Sequence, residues 1–400
     1  MESLHHLYKI GHGPSSSHTM GPESACKYIL KNYININKII VTLYGSLALT
    51  GKGHLTDRII LETLKNIETE IKFNFDQIPA HPNTMEFDLF DVNGNIVDKL
   101  TFYSIGGGNI VLEGETKKIN NKDIYPFKSF DEIKKYCLEN NLSLYELVLK
   151  YEGESILNHL EKVYDVMENS ITNGLTKKGE LPGGLHVLRK AAQLYNSIEL
   201  QESSYISKFR LVSSYAFAVS EENASGGLIV TAPTCGACGV VPASLLYVKQ
   251  NKGLTKQKAI EALAVAGIIG NVIKHNASIS GAFAGCQSEI GSACSMAAAA
   301  IAYLNSNSIE EIEYAAEIAL EHHLGLTCDP VNGLVQIPCI ERNAVAAIRA
   351  IDSAKLAKFL NGTRKISFDT VVKTMYETGK DLSHEYKETS IGGLAKNYIK

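Results

Sequence analysis

Apolar residues in the first third of the chain recur with the period of a pleated strand. Residues 38–47 are rich in Ile, Val and Tyr, Ile71, Phe73 and Phe75 alternate with polar neighbours, and 85–104 read as two strands joined by an Asn93-Gly94 turn. Two amphipathic stretches, 22–33 and 57–67, interrupt this pattern with helical spacing. The expectation for residues 1–125 is an α+β domain, one small sheet covered by two helices.

Beyond residue 125 the helical period takes over. Ser-x-x-Glu capping boxes begin at Ser129, Ser143 and Ser308, each ahead of a periodic segment. Stretches 259–273, 293–304 and 344–360 are apolar or Ala-rich on nearly every face, as helices inside a large bundle are. An all-α domain over 126–400 is expected, with the boundary at Pro126-Phe127-Lys128 and neither an internal repeat nor a low-complexity linker.

Composition narrows the class. With 400 residues, 45% hydrophobic and 20% charged, the chain is neither disordered nor fibrous. Its 39 basic and 43 acidic residues leave a net charge of −4, so no basic excess marks a nucleic-acid partner. The first twenty residues hold no apolar stretch of signal-peptide length, and no apolar run approaches the roughly 18 residues of a membrane span. A cytoplasmic protein without membrane contact is expected.

Six of the eight cysteines, Cys235, Cys238, Cys286, Cys294, Cys328 and Cys339, crowd into one region of the helical part, while Cys26 and Cys137 stand alone, which suggests metal or redox chemistry rather than disulfides. Three of them sit in GCQSEIG, LTCDP and IPCIERN, each beside a Gly, Pro or Asp that breaks helices and exposes backbone N–H groups. Their spacings, 42 and then 11 residues, match neither a zinc finger nor a ferredoxin run. Three such loops rather than four suit a [4Fe–4S] cluster with one open iron better than an electron carrier. Cys235-Gly-Ala-Cys238 lies in a Gly/Pro-rich loop outside any βαβ context, which speaks for packing or pocket shaping over dithiol redox.

A second set of loops belongs to the first domain: HGPSSSHTMGP, SLALTGKGHLTD, AHPNTM and YSIGGGN. Small hydroxyls, glycines and histidines at strand ends suit an amino-acid carboxylate and ammonium. Ser15-Ser16-Ser17-His18 lacks the G-x-S-x-G elbow of a hydrolase. Gly106-Gly107-Gly108 has the makings of a phosphate cradle, but no lysine motif supplies a Schiff base, so pyridoxal phosphate is not expected.

GPSSSHTMGP, YGSLALTGKGH, HPNTM and YSIGGGNI, followed by EENASGG, TAPTCGACGVVPA, NASISGA, GCQSEIGSACSMAAAA, LGLTCDPVNGLVQIPCIERN and YETGKDLSHEYKETSIGGLA, closely resemble the iron–sulfur-dependent bacterial L-serine dehydratases from near residue 8 to near 396. The resemblance implies a β-type domain fused ahead of a helical α-type domain, a cluster on Cys286, Cys328 and Cys339, and L-serine bound between the domains. In this reading the substrate meets Ser15, Ser16, Ser17, His18, Thr19, His54, His81, Asn83, Gly107 and Asn276. Lys274, His18 and His81 are the candidate bases, and a homodimer is expected.

Two departures stand out. Phe283 in GAFAGC replaces the Glu that many members carry there, and the chain's Asn397-Tyr398-Ile399-Lys400 lacks the terminal cysteine of some members, so no tail ligand to the open iron is expected. The implied reaction is β-elimination to aminoacrylate, then pyruvate and ammonia, with Lewis-acid help to the departing hydroxyl and a base for the Cα proton. The alternatives are the same elimination on threonine or cysteine, or a non-catalytic iron–sulfur or zinc amino-acid sensor; one methyl changes selectivity by only about 1–3 kcal/mol.

Overall fold

The computed structural model describes residues 1–77, 81–114, 123–360 and 362–398. Among the described residues there are seven strands: β1 (Ile10–His12), β2 (Lys38–Tyr44), β3 (Glu68–Asn74), β4 (Thr84–Phe90), β5 (Ile96–Gly106), β6 (Asn109–Leu112) and β7 (Leu228–Val230). Five of them form one sheet in the order β3-β2-β4-β5-β6, parallel only between β2 and β3. Val41 stands opposite Ile71 on one side and Phe87 on the other, so apolar positions of neighbouring strands fall in line. Ile39, Val41, Leu43, Met85, Phe87 and Phe102 are buried against Ala25, Cys26 and Ile29 of the Gly21–Asn32 helix and Ile59 and Ile60 of the Thr56–Thr63 helix.

This is the α+β unit read from the sequence, with two additions: edge strand β6 and a short Ser46–Thr50 helix. Gly94 holds a left-handed φ of 80° in the hairpin turn between β4 and β5, as its place after Asn93 requires. Phe75 departs from the strand pattern; it lies beyond the end of β3 and is exposed.

The second region is largely helical. Ser129, Ser143 and Ser308 each accept a hydrogen bond from the backbone N–H three residues on, and the reciprocal glutamate bond is complete at Ser143 and Ser308. In the Lys256–Asn276 helix every residue from Ala259 to Ile273 is buried. The Ser292–Leu304 helix is nearly as enclosed. The Cys339–Phe359 helix is not: Val345, Leu356 and Phe359 are exposed, because Arg349, Asp352, Lys355 and Lys358 share its outer side with them and must stay hydrated.

An all-helical reading of this region also omits β7, which pairs antiparallel with β1, matching Ile10 to Val230 and His12 to Leu228. That pairing carries the start of the chain into the later region. Leu4, Leu7 and Tyr8 are buried in the large helical core, and the Tyr8 hydroxyl donates to the Leu263 carbonyl at 2.9 Å. The sheet and the bundle are therefore tied by backbone as well as by side chains. Among the described residues no helix is long and apolar enough to cross a membrane.

Candidate active site

A cavity of about 270 Å³ lies between the sheet domain and the helical region, with Cys286, Cys328 and Cys339 on one side and Ser15, Ser16, Ser17 and His54 on the other. Each cysteine arrives by a different local device. Cys286 follows Gly285, whose φ of 75° favours glycine and whose added Cβ would lie 2.7 Å from the Leu326 carbonyl oxygen. The chain thus runs close beside the next cysteine loop, and Gln287 N donates to that carbonyl at 3.1 Å. Cys328 is held on both sides by the segment near residue 387: its N–H donates to Tyr386 O and its carbonyl accepts from Glu388 N, both at 2.8 Å. Cys339 opens the Cys339–Phe359 helix. One turn on, the Asn343 amide donates to the Cys339 and Gly236 carbonyls at 2.9 and 2.8 Å and accepts from Gly239 N at 2.9 Å. Asn343 thereby clamps the TAPTCGACG loop to the cysteine helix. Thr234 and Gly236 of that loop line the cavity, whereas Cys235 and Cys238 are buried, Cys235 against Met20 Sδ at 3.9 Å.

The sulfurs share their side of the cavity with a carboxylate. Glu289, one turn after Cys286, accepts from the Thr234 hydroxyl at 2.7 Å through Oε1, and its Oε2 lies 4.0 Å from Cys328 Sγ. The ligand atoms of Cys286, Glu289 and Cys328 all lie within 4.8 Å of one another. An added Cβ at Gly281 would sit 2.6 Å from Glu289 Oε2 and 3.3 Å from Cys328 Sγ, so the glycine makes room for this group. Burial pushes the Glu289 carboxyl above its usual range, and burial, then Glu289 and Cys286, do the same to Glu388. The Cys328 thiol is raised first by its hydrogen bond with Cys286 and then by burial; the Cys339 thiol is raised by burial. Arg342 works against this with a guanidinium beside Cys286 and Cys339, held by Thr327 O at 2.6 Å and Asp329 Oδ1 at 3.2 Å. Buried thiols gathered around one space are what a multivalent metal group converts to thiolates.

On the opposite side the Ser16–Met20 turn presents its hydroxyls to the cavity. Ser17 Oγ lies 2.8 Å from His18 Nδ1, and His18 Nε2 lies 2.9 Å from Ser46 Oγ. His18 is fully buried, and burial drives its pKa well below the usual histidine value. It supports the serines from behind. Thr19 is likewise internal, donating to the His54 carbonyl at 2.8 Å. His54 reaches the cavity itself. The Thr50 hydroxyl donates to Ser46 O at 2.9 Å, so at 3.2 Å it accepts from His54 Nδ1–H. Nε2 is left as the unprotonated nitrogen, buried and without a hydrogen-bond partner, and burial lowers the pKa of the ring to about 4.

The other sequence-derived residues divide. Gly107 lines the cavity at a φ of 58°, with nothing within 4 Å of an added Cβ. Lys274 lines it too, but its ammonium is taken up by an ion pair with Glu2 at 2.7 Å. His81 and Asn83 stand back from it: His81 packs against the Tyr103 ring at 5.6 Å, and Asn83 donates to Ser104 O at 3.4 Å. Ala80, Ile399 and Lys400 lie outside the described residues. Asn276 is exposed and spends its amide on Lys128 O and Val272 O. Phe283 stacks on Tyr376 with ring centroids 5.8 Å apart. Glu289, Thr234, Glu388 and Arg342 were not legible as site residues; the one signal available was the Cys-x-x-Glu spacing of Cys286 and Glu289.

Comparison with known proteins agrees with this two-sided arrangement. Residues 3–71 and 62–115 match the serine dehydratase beta chain family, and residues 108–395 match the serine dehydratase alpha chain family. The chain belongs to the serine dehydratase family. It is 40% identical to an L-serine dehydratase of Haemophilus influenzae, covering 100% of both chains. It is 41% identical to one from Streptomyces coelicolor over 99% of each chain, and 41% identical to one from Helicobacter pylori over 98% of each.

Proposed function

We infer that this chain is an L-serine dehydratase whose Cys286, Cys328 and Cys339 hold a [4Fe–4S] cluster. The observation that carries the reading is that these three buried cysteines, from three separate loops, share one cavity with the serine and histidine loops of the sheet domain. A three-thiolate cluster, when bound, supplies Lewis-acid assistance to the loss of a hydroxyl group. Residues 1–125 then act as the substrate-side unit and 126–400 as the cluster-bearing unit.

The chain's own residues supply the rest. The hydroxyls of Ser15, Ser16 and Ser17 donate to the substrate carboxylate, with His18 fixing Ser17. His54 Nε2 removes the Cα proton; the ring is neutral, oriented by Thr50, and belongs to a side chain that lines the cavity. Loss of the β-hydroxyl gives aminoacrylate, which tautomerises and hydrolyses to pyruvate and ammonia. Anaerobically purified protein is expected to be brown, to contain iron and acid-labile sulfide, and to release pyruvate from L-serine. Colourless protein active with serine would refute the cluster, and brown protein inactive with serine would refute the reaction.

A further inference from the structure

A second cavity, of about 370 Å³, lies on the far side of the segment that carries Cys339. Val335 and Cys339 line the first cavity, while Gln336, Ile337, Pro338, Ile340 and Glu341 line the second. One stretch of backbone is the shared wall. Most of the second cavity is apolar, walled by Leu185, Val187, Phe217 and Ile340.

Two of the residues that line it each carry a buried oxygen without a hydrogen-bond partner. Glu221 is 1% exposed; its Oε1 accepts from Lys190 N at 2.6 Å and Ala191 N at 3.1 Å, but its Oε2 has no hydrogen-bond partner. Gln336 is 3% exposed; its amide donates to Pro182 O at 2.6 Å, and its Oε1 also has none. Leaving two such acceptors unpaired costs about 1–3 kcal/mol each, which a donor reaching both would recover. Arg189, the cation whose charge acts on Glu221, is spent on Glu222 and Ser225. At the rim Lys190 faces Glu341 across a loose 3.9 Å and keeps its ammonium half exposed.

We propose that this cavity binds a primary ammonium carried on an aliphatic body, the ammonium donating to Glu221 Oε2 and Gln336 Oε1 and the body packing on Phe217, Val187 and Ile340. An aliphatic amino acid would add its carboxylate to Lys190; a simple amine would not. Either occupant braces the Gln336–Glu341 wall from behind. The site is distinct from the cavity of the proposed elimination, and none of its liganding atoms has a part in that chemistry.

Calorimetric titration of the full-length, cluster-loaded enzyme with L-leucine and, separately, with isopentylamine tests this. Saturable binding of at least one is expected, weakened at least tenfold by Glu221→Gln, which replaces the free acceptor with a donor. Lys190→Ala, a rim change without effect on folding, is expected to weaken L-leucine several-fold and leave isopentylamine unchanged if the source is an amino acid; equal binding of both compounds by both forms assigns the site to amines. No saturable heat with either compound, binding indifferent to Glu221→Gln, or ammonium chloride alone binding as well as both would overturn the proposal.

Discussion

The two sides of the cavity between the domains are assembled on opposite principles. On the helical side the reactive groups come from separate loops, and each cysteine segment is held through its own backbone by a different neighbour: Leu326 O for the Cys286 loop, residues 386–388 for Cys328, the Asn343 side chain for Cys339. On the sheet side they come from one short turn and one short loop, and side-chain hydrogen bonds do the positioning, from Ser46 through His18 to Ser17 and from Thr50 to His54. Backbone-held ligands suit a site that must bind a large rigid group. Side-chain-held polar groups suit a site that admits a small substrate and lets it go.

Substitutions on the helical side are expected to have the largest effects. Cys286→Ala, Cys328→Ala and Cys339→Ala should each abolish both iron content and pyruvate formation, whereas Cys235→Ala should keep iron; iron and sulfide analysis of anaerobic protein decides this. On the sheet side, His54→Asn should lower kcat by about 10²–10⁴-fold with the brown colour intact, the range expected for loss of a general base. His81→Ala, by contrast, should change kcat/KM by no more than about twofold, as expected for a residue outside the cavity. Equal losses at both histidines would erase the distinction drawn between them.

Ser17→Ala is expected to raise KM for serine roughly tenfold with little change in kcat, the signature of one hydrogen bond lost equally from ground and transition states. The smallest effect is on stability. His54, His159 and His323 all have pKa values lowered to about 4 by burial, so in the folded protein they stay neutral where the unfolded chain takes up protons. Their contribution is full above about pH 6.5 and is lost as pH falls toward 4, at up to ~1.4 kcal/mol per pH unit for each group. Tm measured from pH 7.5 to 5 should fall, and His54→Asn should make the fall shallower.

The sheet, its two helices and the caps at Ser129, Ser143 and Ser308 could be read from period and local chemistry, because their stability is decided within a few residues of each. The three cysteine loops could be found by their residue types and assigned together only through resemblance to a family, since spacings of 42 and 11 residues carry no local geometry. Which histidine lines the cavity was beyond local reading. His18, His54 and His81 sit in similar loops; Ser46 and Ser17 occupy both nitrogens of His18, Thr50 occupies only one of His54, and His81 stands back from the cavity. Glu221 and Gln336 gave no signal at all: a glutamate in a helix and a glutamine in a loop acquire meaning only when the fold leaves one oxygen of each unmatched.

The pairing of β1 with β7 also bears on how the protein is made. Residues 4–12 find their partners in residues 228–230 and in the Lys256–Asn276 helix. At 5–20 residues per second a ribosome needs roughly 10–50 s to travel from one to the other. Throughout that interval Leu4, Leu7 and Tyr8 belong to a nascent chain whose sheet domain can fold while its own leading edge has nowhere to dock. The cavity therefore closes late in synthesis, once the helical core has formed to receive the strand that precedes the serine loop.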